Sequence, residues 1–228
     1  MKQFNNLLKS TLLILLLGLS FVSKGQVNLY TFTSSNSPYV PIVGGTTIGT
    51  EVNDDNSFNN LPIGFNFCYN GVIYDRFSIN NNGFIALGPA VTSSYTNIST
   101  GPTNHAIHLF NADLQSQAGT GELRFQTIGV APNRTLVVQY KDYRGFTSVG
   151  DMLNGQIRIN ETLNTIDLHY GSCVMGPTSR QAEVGLKGIG NLDYNNRSVI
   201  AGIDTWASST AGISNAAKCD LQTASVPV

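Results

Sequence analysis

The sequence has few charged residues and few cysteines, and each shortage excludes a class of protein. Charged residues make up 12% of the 228 residues, and the formal net charge is -1. A chain without a basic excess has no patch that holds phosphates, so we exclude nucleic acid and anionic membrane surfaces as expected partners. The three cysteines match no zinc-binding spacing. Because three is an odd number, at most one internal disulfide is expected.

Long apolar runs are missing except near the start of the chain. Lys2 and Lys9 precede an apolar segment of about a dozen residues, which is too short to span a bilayer comfortably. Small residues at Ser23 and Gly25 then match a signal-peptidase site. We therefore expect residues 1–25 to be a signal peptide. The remaining chain is expected to be secreted or held at the outer cell surface, without membrane insertion.

Turn-forming residues and alternating apolar residues are abundant. The chain has 23 Gly, and apolar residues alternate with small or polar ones from Ile63 to Tyr69, as in a strand with one buried face. Asn70-Gly71 follows and predicts a two-residue hairpin turn. The same signals predict further strands at Val72–Ile79, Phe84–Leu87, Glu122–Ile128, Arg134–Tyr140, Gly155–Asn160, Thr165–Tyr170, Ala182–Gly188 and Ser198–Asp204.

About ten strands with short turn-rich connections predict an all-β protein, an antiparallel two-sheet sandwich or jelly roll. No repeat or low-complexity linker divides the chain, so residues 26–218 are expected to form one domain. Residues 219–228 are expected to begin a linker or a following module.

The positions of the cysteines suggest different states. Cys173 and Cys219 lie near Gly- or Ser-rich connections and are the pair expected to form a disulfide. Cys68 falls within an alternating strand, where we expect a buried thiol that behaves as a small apolar side chain.

Four stretches of the sequence resemble known exported modules. LPIGFNFCYNGVIYDRFSINNNGFIALG is similar to a strand and Asn-Gly signature of secreted β-sandwich modules, including nidogen-like domains. ELRFQTIGVAPNRTLVVQYKDY, QIRINETLNTIDLHYG and EVGLKGIGNLDYNNRSV resemble, in that order, the N-terminal domain of many large exported Bacteroidetes proteins. Such proteins commonly continue into fibronectin type III modules and end in a type IX secretion sorting domain. The resemblance implies an adhesive or accessory role and no particular chemistry.

The segment Asn80 to Gly83 is the first candidate site. Asn and Gly tolerate left-handed backbone, so the segment is interpreted first as a turn or bulge that directs Phe84 into the core. The functional alternative is that the Asn81 and Asn82 amides bind sugar hydroxyls in an exposed loop.

Two aromatic residues are candidate ligand contacts because burial in a strand does not account for them. Tyr143 lies in the polar run KDYRGF, and Trp206 lies in the loop-like segment DTWASST. An aromatic ring packs well on the apolar face of a sugar. The sequence therefore predicts contact roles for both residues.

The run Asn53-Asp54-Asp55-Asn56 is the densest group of oxygen ligands in the chain. Calcium takes six to eight oxygens from carboxylates, amides and carbonyls, so a structural calcium ion is one hypothesis for this run. A solvated turn and a ligand-contacting loop are the alternatives. His105 and His108 are interpreted as ordinary strand or loop residues, because three-residue spacing points them to opposite faces of a strand.

These features favour a non-catalytic binding or adhesion module at a bacterial cell surface, with an extracellular carbohydrate or protein as its ligand. A structural spacer within a larger surface protein is the first alternative. An extracellular polysaccharide hydrolase is the second, and it requires two carboxyl groups that face each other across a cleft.

Overall fold

The computed structural model describes residues 26–174, 176, 181–198, 209–211 and 219–220. Apart from a single 3-10 turn at Val27–Leu29, the regular elements are strands. No helix among the described residues is long and apolar enough to cross a membrane. The strands are β1 (Thr46–Gly49), β2 (Ser57–Tyr69), β3 (Val72–Asn80), β4 (Phe84–Leu87), β5 (Ala106–His108), β6 (Leu114–Ser116), β7 (Glu122–Val130), β8 (Asn133–Gly145), β9 (Leu153–Asn160), β10 (Ile166–Tyr170), β11 (Gln181–Ala182), β12 (Val184–Lys187), β13 (Tyr194–Ser198), β14 (Thr210–Ala211) and β15 (Cys219–Asp220).

The strands form two main antiparallel sheets that pack as a sandwich. The first sheet has the order β1-β7-β8-β9-β10, with β6 also paired to β8. The second sheet has the order β14-β13-β12-β5-β4-β3-β2. Strands β11 and β15 form a small separate ribbon. The predicted all-β antiparallel sandwich is therefore confirmed.

The core lies between the inner faces of the two sheets. Alternate side chains of β2 point inward, as the period-two pattern predicts. They meet aliphatic side chains from β8 and β9 in one cluster, and burial of each such side chain contributes roughly 1.5–3 kcal/mol. The central members are Ile63, Phe65, Phe67, Tyr69, Leu136, Val138, Ile157 and Ile159.

The first Asn-Gly pair forms the predicted hairpin turn. Asn70 has φ of 53° and Gly71 has φ of 73°, and a two-residue turn with positive φ at both positions joins β2 to β3. Gly83 ends the second Asn-Gly segment with φ of 89°, and a Cβ there would lie 2.7 Å from Phe110 Cβ. Only glycine fits at that position without a shift of the neighbouring backbone.

Residues 88–105, here called the covering loop, lie over the outer face of the second sheet. Polar side chains on that face hold the loop: Asn80 Nδ2 donates to Thr92 O at 2.5 Å and to Ser93 O at 2.7 Å. Further along, Ile98 N donates to Glu183 Oε2 at 2.5 Å. Because these groups are buried, each one requires its partner. Phe84 is buried as predicted, but it stacks on His108 under this loop and lies outside the main cluster.

Both cysteine predictions disagree with the structure. Cys68 is exposed, because the alternation of β2 points Phe67 and Tyr69 inward and therefore points Cys68 outward. Cys173 is a free, partly buried thiol that contacts the backbone of Asn154. The predicted disulfide from Cys173 to Cys219 is therefore wrong in this structure.

The predicted strand at Ser198–Asp204 lies, apart from Ser198, outside the described residues and stays a prediction. Strand β13 ends at Ser198, and residues 199–208 lie outside the described residues. The 219–228 boundary also lies almost wholly outside the described residues and stays a prediction.

Candidate functional site

A groove of about 660 Å³ opens between edge strand β10 and strands β12 and β13, and we call it the β10 groove. This volume lies in the range of ligand pockets. Its apolar lining includes Ile166 and Leu168 from β10, and Val184 and Leu186 from β12. One side of the groove is therefore part of the first sheet and the opposite side is part of the second.

The third boundary of the groove is the N-terminal strap, residues 30–42. Its first end is held by Asn195, whose Nδ2 donates to Tyr30 O at 2.8 Å. Its second end lies on the outer face of the first sheet, where Gln156 Nε2 donates a hydrogen bond to Val40 O at 2.9 Å. Residues 31–38 between these ends are exposed, and residues 31–35 and Ser37 line the groove.

Polar and aromatic side chains surround the apolar lining. The Arg197 guanidinium lies 4.0 Å from the centre of the Phe32 ring on the strap, which is cation–π geometry. His169 Nε2 lies 3.1 Å from Ser37 Oγ. Asp167 is the sole carboxylate among the described residues that line the groove. The groove thus has contacts for binding but lacks the facing pair of acids that glycoside hydrolysis requires.

The family comparison adds an assignment to this geometry. The family model described as NIDO related matches residues 29–225. The chain belongs to the NIDO-related family. No curated protein and no solved structure matches the chain.

The NIDO-related domain buries Asn81 and Asn82 completely. Asn81 Oδ1 accepts a hydrogen bond from Asn56 N at 2.9 Å. Asn82 Oδ1 accepts from Leu114 N at 2.8 Å, and its Nδ2 donates to Asp55 Oδ1 at 2.9 Å. Ligand contact by these two amides has no support in the structure, because they are inaccessible and they fasten neighbouring loops. The turn interpretation agrees with the geometry.

Tyr143 is also inaccessible, contrary to its predicted contact role. Strand β8 extends beyond Tyr140, and a bulge at Asp142, with φ of 50°, changes the register between Tyr140 and Tyr143. The extra residue keeps both rings on the inner face, with their centres 5.3 Å apart. Burial raises the pKa of the Tyr143 hydroxyl well above its usual range. Trp206, the other predicted contact, lies outside the described residues.

The Asn53 to Asn56 run is tied to the second Asn-Gly segment. Asn53 Oδ1 accepts from Asn56 Nδ2 at 2.7 Å, and Asp55 Oδ1 is the acceptor for Asn82. Asp54 Oδ1 is buried and has no hydrogen-bond partner. Burial, with Asp55 and Asp113 nearby, raises the pKa of Asp54. No group of three or more His, Cys, Asp or Glu side chains among the described residues is arranged to hold a metal ion.

The two histidines lie in separate environments. His105 packs against the Tyr74 ring at 5.6 Å, whereas His108 is buried and stacks on Phe84 at 4.7 Å. Burial lowers the pKa of His108 to about 3, so its ring is neutral at physiological pH.

The β10 groove was not predicted from the sequence. Its residues come from three distant parts of the chain: the strap, the β9–β10 hairpin and the β12–β13 hairpin. The available signal was the polar run of Thr and Ser between Tyr30 and Ser37, which contains too few apolar residues for a strand. That signal alone places no partner beside the run.

Proposed function

We propose that this NIDO-related domain is a non-catalytic extracellular binding module and that its ligand occupies the β10 groove. The carrying observation is the groove itself, which combines an apolar lining, the aromatic ring of Phe32 and the polar groups of Arg158, Arg197 and His169. Family membership supports an extracellular module. The sandwich provides a rigid scaffold on which an exposed segment such as the strap is positioned.

The structural partners of several carboxylates favour a binding role over hydrolysis. Glu122 and Glu161 form ion pairs with Arg124 and Arg134 respectively. Asp151 is fully buried and accepts a hydrogen bond from Gly145 N at 3.1 Å. These carboxylates have structural partners, so they are poor candidates for a catalytic pair. A role as a passive spacer is the remaining alternative, and only a binding measurement separates it from our proposal.

The test is binding of the purified protein to a panel of glycans and extracellular matrix proteins, compared with a groove-blocking variant. Ser35→Trp places a large side chain on an exposed strap position that lines the groove. Val130→Trp adds the same side chain at the exposed last residue of β7 and is the matched control. We expect Ser35→Trp to weaken binding at least tenfold while Val130→Trp binds like the original protein. Equal binding by all three proteins contradicts the groove as the binding site. An absence of binding to every panel member favours the spacer role.

Two finer proposals accompany this function. We propose, from the sequence resemblance, that the domain belongs to a larger exported protein of the Bacteroidetes type, with neighbouring modules as partners. The calcium site at Asn53, Asp54, Asp55 and Asn56 also stays a proposal, supported by the buried and unpartnered Asp54 Oδ1. A bound ion would stiffen this loop and would have no chemical role in binding.

A further inference from the structure

Among the described residues, no strand pairs with the edge of β10 that faces the groove. Asn160 N donates to Thr165 O, and Gly171 N donates to Asn154 O, at the two ends of the β9–β10 ladder. The register between these ends is regular. In such a ladder every second residue exchanges both hydrogen bonds with its partner, and the residues between point their N–H and C=O groups away. The backbone groups of Ile166, Leu168 and Tyr170 therefore point away from β9.

The open edge of β10 differs from the long edge of the second sheet. That edge belongs to β2, and side chains satisfy its outward backbone groups: Asn164 Oδ1 accepts from Cys68 N at 3.1 Å, and Asn164 Nδ2 donates to Cys68 O at 2.9 Å. Thr127 Oγ1 donates to Ile63 O at 2.6 Å in the same way. The edge strands β1 and β14 have only four and two residues. Native proteins commonly protect edges by these means, because unpaired edges pair with other chains.

The strap does not pair with the edge of β10 at Ile166 or Leu168. Ser37 and Tyr39 of the strap contact the side chain of His169, and no backbone hydrogen bond joins the strap to Ile166 or Leu168. The groove extends along β10 from Asn164 to Tyr170. A strand of five residues spans roughly 17 Å, so the groove accommodates an extended segment of about that length.

We propose that the ligand in the β10 groove is an extended polypeptide segment of another protein that adds to the first sheet as a strand beside β10. This inference rests on the proposed binding function and names its ligand class. The donors and acceptors of Ile166 and Leu168 have the spacing of a strand, and main-chain pairing is how extended peptides bind sheet edges.

The side chains of the groove define the pattern of the bound segment. Alternate residues of an added strand lie on the same face as Ile166 and Leu168 and meet Val184 and Leu186, so these residues are apolar. The residues between them lie on the face that carries Asp167, Arg158 and His169, so they carry polar side chains. The bound segment therefore alternates apolar residues with polar ones.

The test uses peptides selected from a displayed library of random dodecapeptides, which are then synthesised and scanned by backbone N-methylation. N-methylation removes one N–H donor without changing the side chain. If the peptide pairs with β10, every second N-methyl group lowers affinity by about tenfold and the intervening ones leave it almost unchanged. Slowed hydrogen exchange at the Ile166 and Leu168 amides gives an independent readout.

Leu168→Pro tests the same pairing from the side of the protein. Proline at this position removes the outward N–H group and breaks no hydrogen bond to β9, which is why edge strands tolerate it. Leu168→Val keeps the N–H group and is the control. We expect Leu168→Pro to weaken peptide binding at least tenfold and Leu168→Val to change it less than threefold.

The outcomes separate this inference from the broader function. A period-two N-methyl profile with protection of Ile166 and Leu168 supports strand addition. If Ser35→Trp blocks peptide binding but the N-methyl profile is flat, strand addition is wrong and groove binding stands. The same conclusion follows if a glycan binds and no peptide does. Failure of peptides, glycans and matrix proteins alike overturns both proposals.

Discussion

Asn80 provides the sharpest test of how the covering loop is held. Its side chain is fully buried, and its Nδ2 lies within hydrogen-bond distance of the carbonyl oxygens of Thr92 and Ser93. Its Oδ1 accepts from Asn82 N at 2.6 Å. Asn80→Ala removes about three hydrogen bonds and leaves the buried Asn82 N without this acceptor. At about 1 kcal/mol for each bond, the free energy of unfolding falls by about 3 kcal/mol.

Asn80→Asp gives a stricter version of the same test. The side chain keeps its size, but a carboxylate replaces the donor and faces carbonyl oxygens, so we expect a greater loss of stability than for Asn80→Ala at neutral pH. Burial raises the pKa of the introduced carboxyl above its unfolded value of about 3.9. The folded state then retains a proton that the unfolded state loses, so stability falls as the pH rises above about 4.

Thermal unfolding measured at pH 4 and pH 7 checks both expectations. For a domain of this size, about 3 kcal/mol corresponds to a decrease in Tm of about 6–12 °C. Asn66→Asp, on an exposed position of β2, is the control for an added charge and should change Tm by less than about 2 °C. An Asn80→Asp protein that is as stable as the original at pH 7, or whose loss does not shrink at pH 4, would refute the buried donor role of Asn80.

Three further predictions follow from buried and exposed polar groups. Tyr140→Phe lowers the free energy of unfolding by about 1–3 kcal/mol, because the Tyr140 hydroxyl donates to Asn80 O at 2.7 Å. Tyr143→Phe is neutral or stabilising, because the Tyr143 hydroxyl has no hydrogen-bond partner. Equal losses of stability for the two variants in urea unfolding would contradict this contrast. A thiol reagent at pH 8 should label Cys68 about a hundredfold faster than Cys173, because burial raises the pKa of Cys173 to about 11. Mass spectrometry measures both labelling rates, and comparable rates would show that Cys173 is accessible to solvent. Calcium at a hundred times its dissociation constant should stabilise the protein by about 2.7 kcal/mol relative to chelator, and Asp54→Asn should remove the effect; an unchanged Tm in saturating calcium would exclude the site.

Local patterns predicted the fold well because the inner strands follow a local rule. The alternation from Ile63 to Tyr69 and the Asn70-Gly71 turn depend on neighbouring residues alone, and both are confirmed. The same alternation places Cys68 on the outer face of β2, so the prediction of a buried thiol went against the pattern and was wrong.

The candidate site was predicted poorly because burial depends on distant segments. Asn81 and Asn82 resemble an exposed loop in the sequence, but contacts from the chain around Asn56 and Leu114 bury them. Tyr143 resembles a loop residue because the bulge at Asp142 interrupts the period-two pattern. The groove depends on the position of the strap relative to β10, and no local pattern specifies that position.

The central claim is that the ligand lies in the β10 groove, and amide chemical-shift mapping tests it most directly. The protein is titrated with whichever panel member or selected peptide binds. The account predicts that the largest shifts fall on Ile166 to Tyr170, on Val184 to Leu186 and on the strap. Shifts concentrated on the Asn53 to Asn56 loop, with the β10 amides unchanged, would contradict the account.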